Sequence, residues 1–360
     1  MVDFRFAPDS EPVTPFQLLQ QSGELLGSSP MSDEQVLESL RWMLLTRAFD
    51  DKATAMQRQG RFGTFSSVRG QEASVVGAAM ALDPARDWLV PQYRELPALL
   101  RHGYPMEHFA LYFMGNPRGG AIPAEVNMLP LQISLAAQVP QATGLAWGLR
   151  LQGSDGVVVT FFGDGASSEG DIHESMNLAG LVKAPVIFFL QNNGWAISTP
   201  RSAQTAARTF AERAPGYGID GIQVDGNDLL AVYQATRDAV ARARTGGGAT
   251  VIETLTYRTG PHNTADDPTR YVAPDALAEW VARDPVDRVE NYLRARGQWD
   301  QSRADAVRAE CAAQVEDAMA KARAVAAADS DALFDHVYAN PVPRVDQQRA
   351  QWSARSGGRP

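Results

Sequence analysis

The chain has 360 residues, 44% hydrophobic and 21% charged, which is enough apolar material for a core and excludes the low-hydrophobicity, high-charge regime of disorder. A single cysteine, Cys311, excludes an intrachain disulfide framework and a cysteine-rich metal site, as expected for a reducing compartment. The net charge of −9, with 33 Lys and Arg scattered along the chain, argues against nucleic acid as the main partner. No apolar run approaches the roughly 18 residues that cross a bilayer, so no membrane association is expected. Met1–Pro12 carries acidic residues and no apolar centre, unlike a secretory or transit peptide, and the expected location is cytoplasmic.

Residues 1–30 are rich in Pro, Ser, Gln and Gly without periodicity and read as an extended N-terminal arm. Ser32 with Gln35 three residues on forms a capping-box signature, and Val36, Leu37, Leu40, Met43 and Leu44 follow at helical spacing. Gln71 to Leu82 reads as a small-residue helix suited to close packing. From Trp88 to Gly144 helical stretches alternate with Gly/Pro-rich loops, and Gly115 to Pro130 is long enough to suggest a functional loop.

The pattern is clearest in the middle. Val157 to Phe162 is a continuous β-branched and aromatic run, followed by a Gly-rich turn, a helix near Asp171 to Gly180, and a second run from Val186 to Leu190. That is a βαβ unit with two buried parallel strands. Two further strands, Gly221 to Val224 and Thr250 to Leu255, bracket a helix from Leu229 to Arg244. The expected fold is α/β: a doubly wound, mostly parallel sheet flanked by helices over residues 31–272, with a helical extension over 273–345 and a tail over 346–360.

In such sheets, ligands bind beyond the carboxyl ends of the strands, and the two best strands end in Gly163-Asp164-Gly165 and Gln191-Asn192-Asn193. The glycines let backbone amides approach an anion, and the next helix aims its N-terminus at the same place. A carboxylate there, at Asp164, repels a phosphate unless a cation lies between them. Mg²⁺ suits that position, since it prefers oxygen and is commonly shared between one or two protein groups and a phosphate; Asp164 and the Asn193 side-chain carbonyl qualify. A Rossmann site is disfavoured, because the sixth position of G-x-G-x-x-G is Ser168 and the second strand does not end in Asp or Glu.

The spacing of GDG and NN, with 26 residues (166 to 191) between Gly165 and Asn192, resembles the thiamine-diphosphate motif. The longer stretches from Gly163 to Asp171 and from Gln191 to Ser198 resemble the α subunit of heterotetrameric 2-oxo acid dehydrogenases, the decarboxylating first component of the pyruvate and branched-chain complexes. The likeness covers about residues 35–345. It implies the thiamine-diphosphate-binding fold, with thiamine diphosphate and Mg²⁺ as cofactors, and cofactor contacts from Gln92, Tyr93, Arg94, Ile133, Leu135, Gly163, Asp164, Gly165, Ala166, Asn193, Trp195 and His262. Asp164, Asn193 and Trp195 are the implied metal ligands, and Gln138 to Gln141 matches the segment that holds the aminopyrimidine.

Thr259 to Pro268 resembles the family's active-site loop, which makes His262 the implied catalytic residue. Asn263 stands where animal relatives carry a regulatory phosphoserine. His102, His108, His173 and His336 lie in helical patterns and are expected to be structural. The resemblance also implies a β subunit in an α2β2 heterotetramer, which supplies the carboxylate that activates the pyrimidine, and a lipoyl-bearing acyltransferase component that takes the acyl group from a small 2-oxo acid. Pyruvate is the first expectation for that acid; features of the branched-chain type keep its larger 2-oxo acids as an alternative, and a non-catalytic assembly subunit is the rival of another class. The helix from Gln71 to Leu82 is expected to face the partner.

Overall fold

The structure is a computed structural model and describes residues 13–325, 332–335 and 337–356. Its strands are β1 (Trp88–Val90), β2 (Val158–Gly163), β3 (Val186–Asn192), the short antiparallel pair β4 (Trp195–Ala196) and β5 (Thr199–Pro200), β6 (Asp220–Asp225) and β7 (Thr250–Leu255). The helices are α1 (Asp33–Arg58), α2 (Glu72–Met80), α3 (Leu96–Arg101), α4 (Met106–Phe113), α5 (Gln138–Leu151) and α6 (Gly170–Val182). After these come α7 (Leu229–Arg244), α8 (Pro274–Val281), α9 (Pro285–Ala295), α10 (Gln301–Ala324), α11 (Ala332–Asp335) and α12 (Pro343–Ser356).

Five strands form one sheet in the order β1-β2-β3-β7-β6, and every neighbouring pair is parallel. Phe161, Phe189, Ile252 and Ile222 lie in one register row across it. Side chains of a strand alternate between faces. Val159 and Phe161 therefore join the core shared with α1, α2, α4, α7, α9 and α10, while Val158 and Phe162 join the second core under α5 and α6. Each fully buried Phe or Val contributes about 1.5–3 kcal/mol of transfer free energy to this three-layer packing. The crossover from β2 through α6 to β3 brings both polar loops, 163–165 and 191–193, to the same sheet edge.

Ser32 and Gln35 make the anticipated capping box at the start of α1. Three expectations change. Trp88–Val90, read as part of a helix-and-loop stretch, is the edge strand β1: three residues are too few for a strand pattern to show, and pairing with β2 decides their state. The small-residue helix, α2, does not face outward, because all nine of its residues are buried within this chain. Its small side chains serve contact with α7, where a Cβ on Gly77 would stand 2.9 Å from Val232 Cβ. Residues 346–356 belong to α12, which opens on Pro343 at a helix-compatible first position and so crosses the boundary placed at 345.

The described part of the N-terminal arm is pinned to the body. Phe16 bridges to β6 through its N–H to the Gln223 carbonyl at 2.9 Å and its carbonyl to the Asp225 N–H at 3.0 Å. Leu18 and Leu19 donate their N–H groups to Asp228 Oδ2, both at 2.6 Å, and the same carboxylate caps α7 through Oδ1, which accepts from Leu230 and Ala231. Among the described residues, no helix is long and apolar enough to cross a membrane.

Candidate active site

The floor of the site is the turn after β2. Ser167 folds it by donating both its hydroxyl, at 2.7 Å, and its N–H, at 3.1 Å, to the Asp164 carbonyl. A short 3-10 turn, Ala166–Ser168, follows Gly165 directly, so its first amides lack helical partners; α6 starts at Gly170. Gly165 is required by contact rather than by backbone angle, since a Cβ there would stand 2.8 Å from the Ala196 Cβ. Asp164 is buried at 1% exposure. Its Oδ2 accepts from Gln204 Nε2 at 2.8 Å, and its Oδ1 has no partner. Burial pushes its carboxyl above the usual range, against the Gln204 hydrogen bond.

The second element is the turn after β3. Asn192, buried, donates to Glu253 Oε1 on β7 at 2.7 Å and so ties the end of β3 to its neighbour. Asn193 Oδ1 accepts the Trp195 N–H at 3.2 Å, and its Nδ2 donates to Gln71 Oε1 at 3.2 Å. Gly194 takes φ +85°, and Ile197, at φ +56°, sits in the left-handed region that a β-branched residue avoids. Arg258 holds that strained hairpin by donating to the Ile197 carbonyl at 2.7 Å, with a longer contact of 3.4 Å to the Trp195 carbonyl.

Glu95 shapes the opposite wall. Its Oε2 accepts the N–H groups of Gln92 and Arg94, both at 3.0 Å, and its Oε1 accepts from Gln191 Nε2 at 2.7 Å. Complete burial raises its pKa to about 7 against these donors. The folded turn presents Tyr93 and Arg94. Arg94 donates to the Ser67 carbonyl at 2.6 Å and to the His262 carbonyl at 2.5 Å, and its Nη2 lies 3.0 Å from His262 Nδ1. A guanidinium has no acceptor, so Nδ1 receives the hydrogen bond and the neutral imidazole carries its proton on Nε2. Burial, then Arg94, then Arg258, lower the His262 pKa to about 4. Its loop is held by the His262 N–H to Asp266 Oδ2 at 2.7 Å, by Tyr271 donating to the same carboxylate, and by Thr264, which exchanges hydrogen bonds with Phe65.

These walls enclose a cavity of about 580 Å³. All twelve residues singled out in the sequence line it: Gln92, Tyr93, Arg94, Ile133, Leu135, Gly163, Asp164, Gly165, Ala166, Asn193, Trp195 and His262. Gln138 is not among the lining residues; it opens α5 and donates to the Phe161 carbonyl at 2.7 Å. His102, His108 and His173 bond instead to the Asp87 carbonyl, the Ala121 carbonyl and the Tyr217 hydroxyl, and His336 lies outside the described residues.

Gln71, Glu95 and Arg258 also line the cavity and carry no motif of their own. The nearest sequence signal was Gly70-Gln71-Glu72, a glycine and two polar residues leading a small-residue helix. Among the described residues no group of three His, Cys, Asp or Glu is placed to hold a metal ion. Asp164, Asn193 and Trp195 line one cavity, and the side-chain oxygens of the first two are of the hard kind Mg²⁺ prefers. Beside them, Arg94, Arg258, Tyr93 and the amides after Gly165 provide donors for an anion.

A model of the family described as "Dehydrogenase E1 component" matches residues 40–329. The pyruvate dehydrogenase E1 component subunit alpha of Staphylococcus epidermidis is 43% identical over 336 residues, covering 92% of this chain and 90% of that protein. The protein of the same name in Staphylococcus aureus is 44% identical over 295 residues, covering 81% of this chain and 80% of that one. With a family match across most of its length and such relatives, the chain belongs to the dehydrogenase E1 component family.

Proposed function

We propose that this chain is the α subunit of the thiamine-diphosphate-dependent first component of a pyruvate dehydrogenase complex. The observation that carries the reading is the orphaned, buried Oδ1 of Asp164, a residue that lines the same cavity as Asn193, Arg94 and Arg258. A buried carboxylate oxygen without a donor costs about 1–3 kcal/mol or more unless a cation takes it. Asp164, the Asn193 side chain and the Trp195 carbonyl would hold Mg²⁺. Arg94, Tyr93 and the amides after Gly165 would hold the diphosphate, with Gln92, Ile133 and Leu135 against the rest of the cofactor.

Thiamine diphosphate, when bound, supplies the electron sink for decarboxylating a 2-oxo acid and passing the acyl group to a lipoyl group. His262 works as a neutral Nε2–H donor: Arg94 occupies Nδ1, and the low pKa keeps a second proton off the ring at neutral pH. It therefore stabilises negative charge at the reacting centre rather than delivering a proton as imidazolium. The exposed Ile133 and Leu135 present an apolar surface that excludes water from the reaction face.

The partners follow from the same reading: a β subunit in an α2β2 assembly, which brings the activating carboxylate, and a lipoyl-bearing acyltransferase. Leu151 and Leu181, 73% and 80% exposed, and the exposed Trp147 and Leu178 all lie on the packed pair α5 and α6 and give it apolar surface suited to the β subunit. That surface replaces α2 as the one expected to meet the partner. The names of the relatives favour pyruvate over branched-chain acids. We place the assembly in the cytoplasm, where the single buried Cys311 remains a thiol.

The test is pyruvate-dependent reduction of an artificial electron acceptor by α alone, by β alone and by the mixture, each with thiamine diphosphate and Mg²⁺. Activity should require the mixture. Full activity of α alone would remove the heterotetramer, and an inactive mixture that binds the cofactor would favour a non-catalytic assembly role.

A further inference from the structure

Gln71 is fully buried, lines the cavity, and uses only half of its carboxamide. Its Oε1 accepts from Asn193 Nδ2 at 3.2 Å, while its own Nε2 has no partner. The backbone beneath it is fixed from three sides. The Gly70 N–H donates to Glu72 Oε2 at 2.9 Å, the Gly70 carbonyl accepts from Thr256 Oγ1 at 2.8 Å, and Gly70 takes φ +93° where a Cβ would stand 2.3 Å from the Tyr257 carbonyl. This close approach of residue 70 to the segment after β7 sets Gln71 against the turn after β3.

Resting on the metal site of the proposed function, we propose that Gln71 is a positioning residue that, together with the Trp195 N–H, holds the Asn193 amide with its oxygen toward the cation. A carboxamide binds a hard cation through oxygen alone, and its two ends are nearly the same size. With Gln71 Oε1 on Nδ2, the oxygen is turned the other way, and the Trp195 N–H occupies one of its two lone pairs, leaving the second for a metal. A reversed amide would set its NH2 against the Trp195 N–H and would lose the Gln71 acceptor unless the Gln71 carboxamide turned with it. Groups that orient a ligand in this way commonly change metal affinity by about 10–100-fold when removed.

The test follows quenching of tryptophan fluorescence, Trp195 lying in the cavity, as Mg²⁺ is titrated into the α–β pair with saturating thiamine diphosphate, alongside melting temperature without cofactor. Q71M, which keeps length and loses the acceptor, should raise the Mg²⁺ half-saturation roughly tenfold while cofactor-free melting stays near wild type. Q71E keeps an acceptor for Asn193 Nδ2 and should recover most of the affinity. In an N193D background, where either carboxylate oxygen can bind, adding Q71M should change the half-saturation less than about threefold. Wild-type Mg²⁺ dependence in Q71M, or a Q71E variant as impaired as Q71M, would overturn the assignment. Absence of Mg²⁺-dependent binding in the wild-type pair would overturn the proposed function itself.

Discussion

Asp164 and Asp228 follow strands β2 and β6 at the same edge of the sheet, and both are buried. Their surroundings are opposite. Asp228 accepts four backbone N–H groups, two from the start of α7 and two from the N-terminal arm, and Arg288 stands 4.0 Å away. Asp164 accepts one side-chain hydrogen bond and leaves an oxygen empty. Burial raises the pKa of both. One carboxylate therefore closes a folding joint, whereas the other keeps an oxygen without a donor in the cavity wall, where the proposed cation would bind. Residue type and burial do not separate these two acids; the oxygen that Asp164 leaves without a donor in the cavity wall does.

Mutation should separate the two sharply. Asp228→Ala unpairs four N–H groups, two from the arm and two from the start of α7, while Arg288 keeps Asp225, and should lower unfolding free energy by about 3 kcal/mol or more in urea titration. A loss under about 1 kcal/mol would mean that the arm is not held through this carboxylate. Asp164→Ala should leave the cofactor-free melting temperature within a few degrees of wild type and abolish Mg²⁺-dependent thiamine diphosphate binding in the α–β complex, read by calorimetry. Unchanged affinity would erase the distinction between the two acids.

A smaller effect is expected at Gly165. Its φ of −60° is open to any residue, so Gly165→Ala tests space alone. The added methyl meets Ala196 and must push the β4 hairpin outward, which costs about 1–3 kcal/mol if the core has to yield. Because that hairpin carries Trp195, the cost should appear chiefly as weaker cofactor affinity. An equal fall in cofactor-free melting and in affinity would show instead that Gly165 serves the fold.

Much of this asymmetry was legible in the sequence because it lies in local patterns. The β-branched and aromatic runs ending in Phe162 and Leu190, the glycines around Asp164 and the polar ends of both strands point to a site at a sheet edge without any structure. What was not legible depends on long-range pairing. Trp88–Val90 is a strand only because β2 lies beside it, and α2 is buried only because Val232 accepts its glycine. Gln71 and Arg258 enter the site through contacts across 122 and 61 residues of chain, to Asn193 and Ile197, so no local spacing could have announced them.

The finest test of the functional region is the pH dependence of stability at His262. The ring is neutral in the folded chain with a pKa of about 4, against 6.5 in a free chain, because burial and the two neighbouring guanidiniums oppose its charging. Between those values the unfolded chain binds a proton that the folded chain refuses. Wild type should therefore lose stability relative to His262→Asn as pH falls from about 6.5 to 4, and the difference should be flat above pH 7. Glu95 and Asp50, whose pKa values are raised to about 7, act with the opposite sign, since the folded chain holds their protons and loses stability as pH rises from about 4 to 7. Both are present in wild type and variant and cancel in the difference, which isolates the ring. Partial exposure of His262 keeps the effect well below what the full shift would imply. Melting curves of the two proteins at half-unit pH steps measure it. A gap that stays constant from pH 7 to pH 4 would show that His262 is freely protonated in the fold, and the Arg94 hydrogen bond to Nδ1, with the neutral-donor role built on it, would have to be given up.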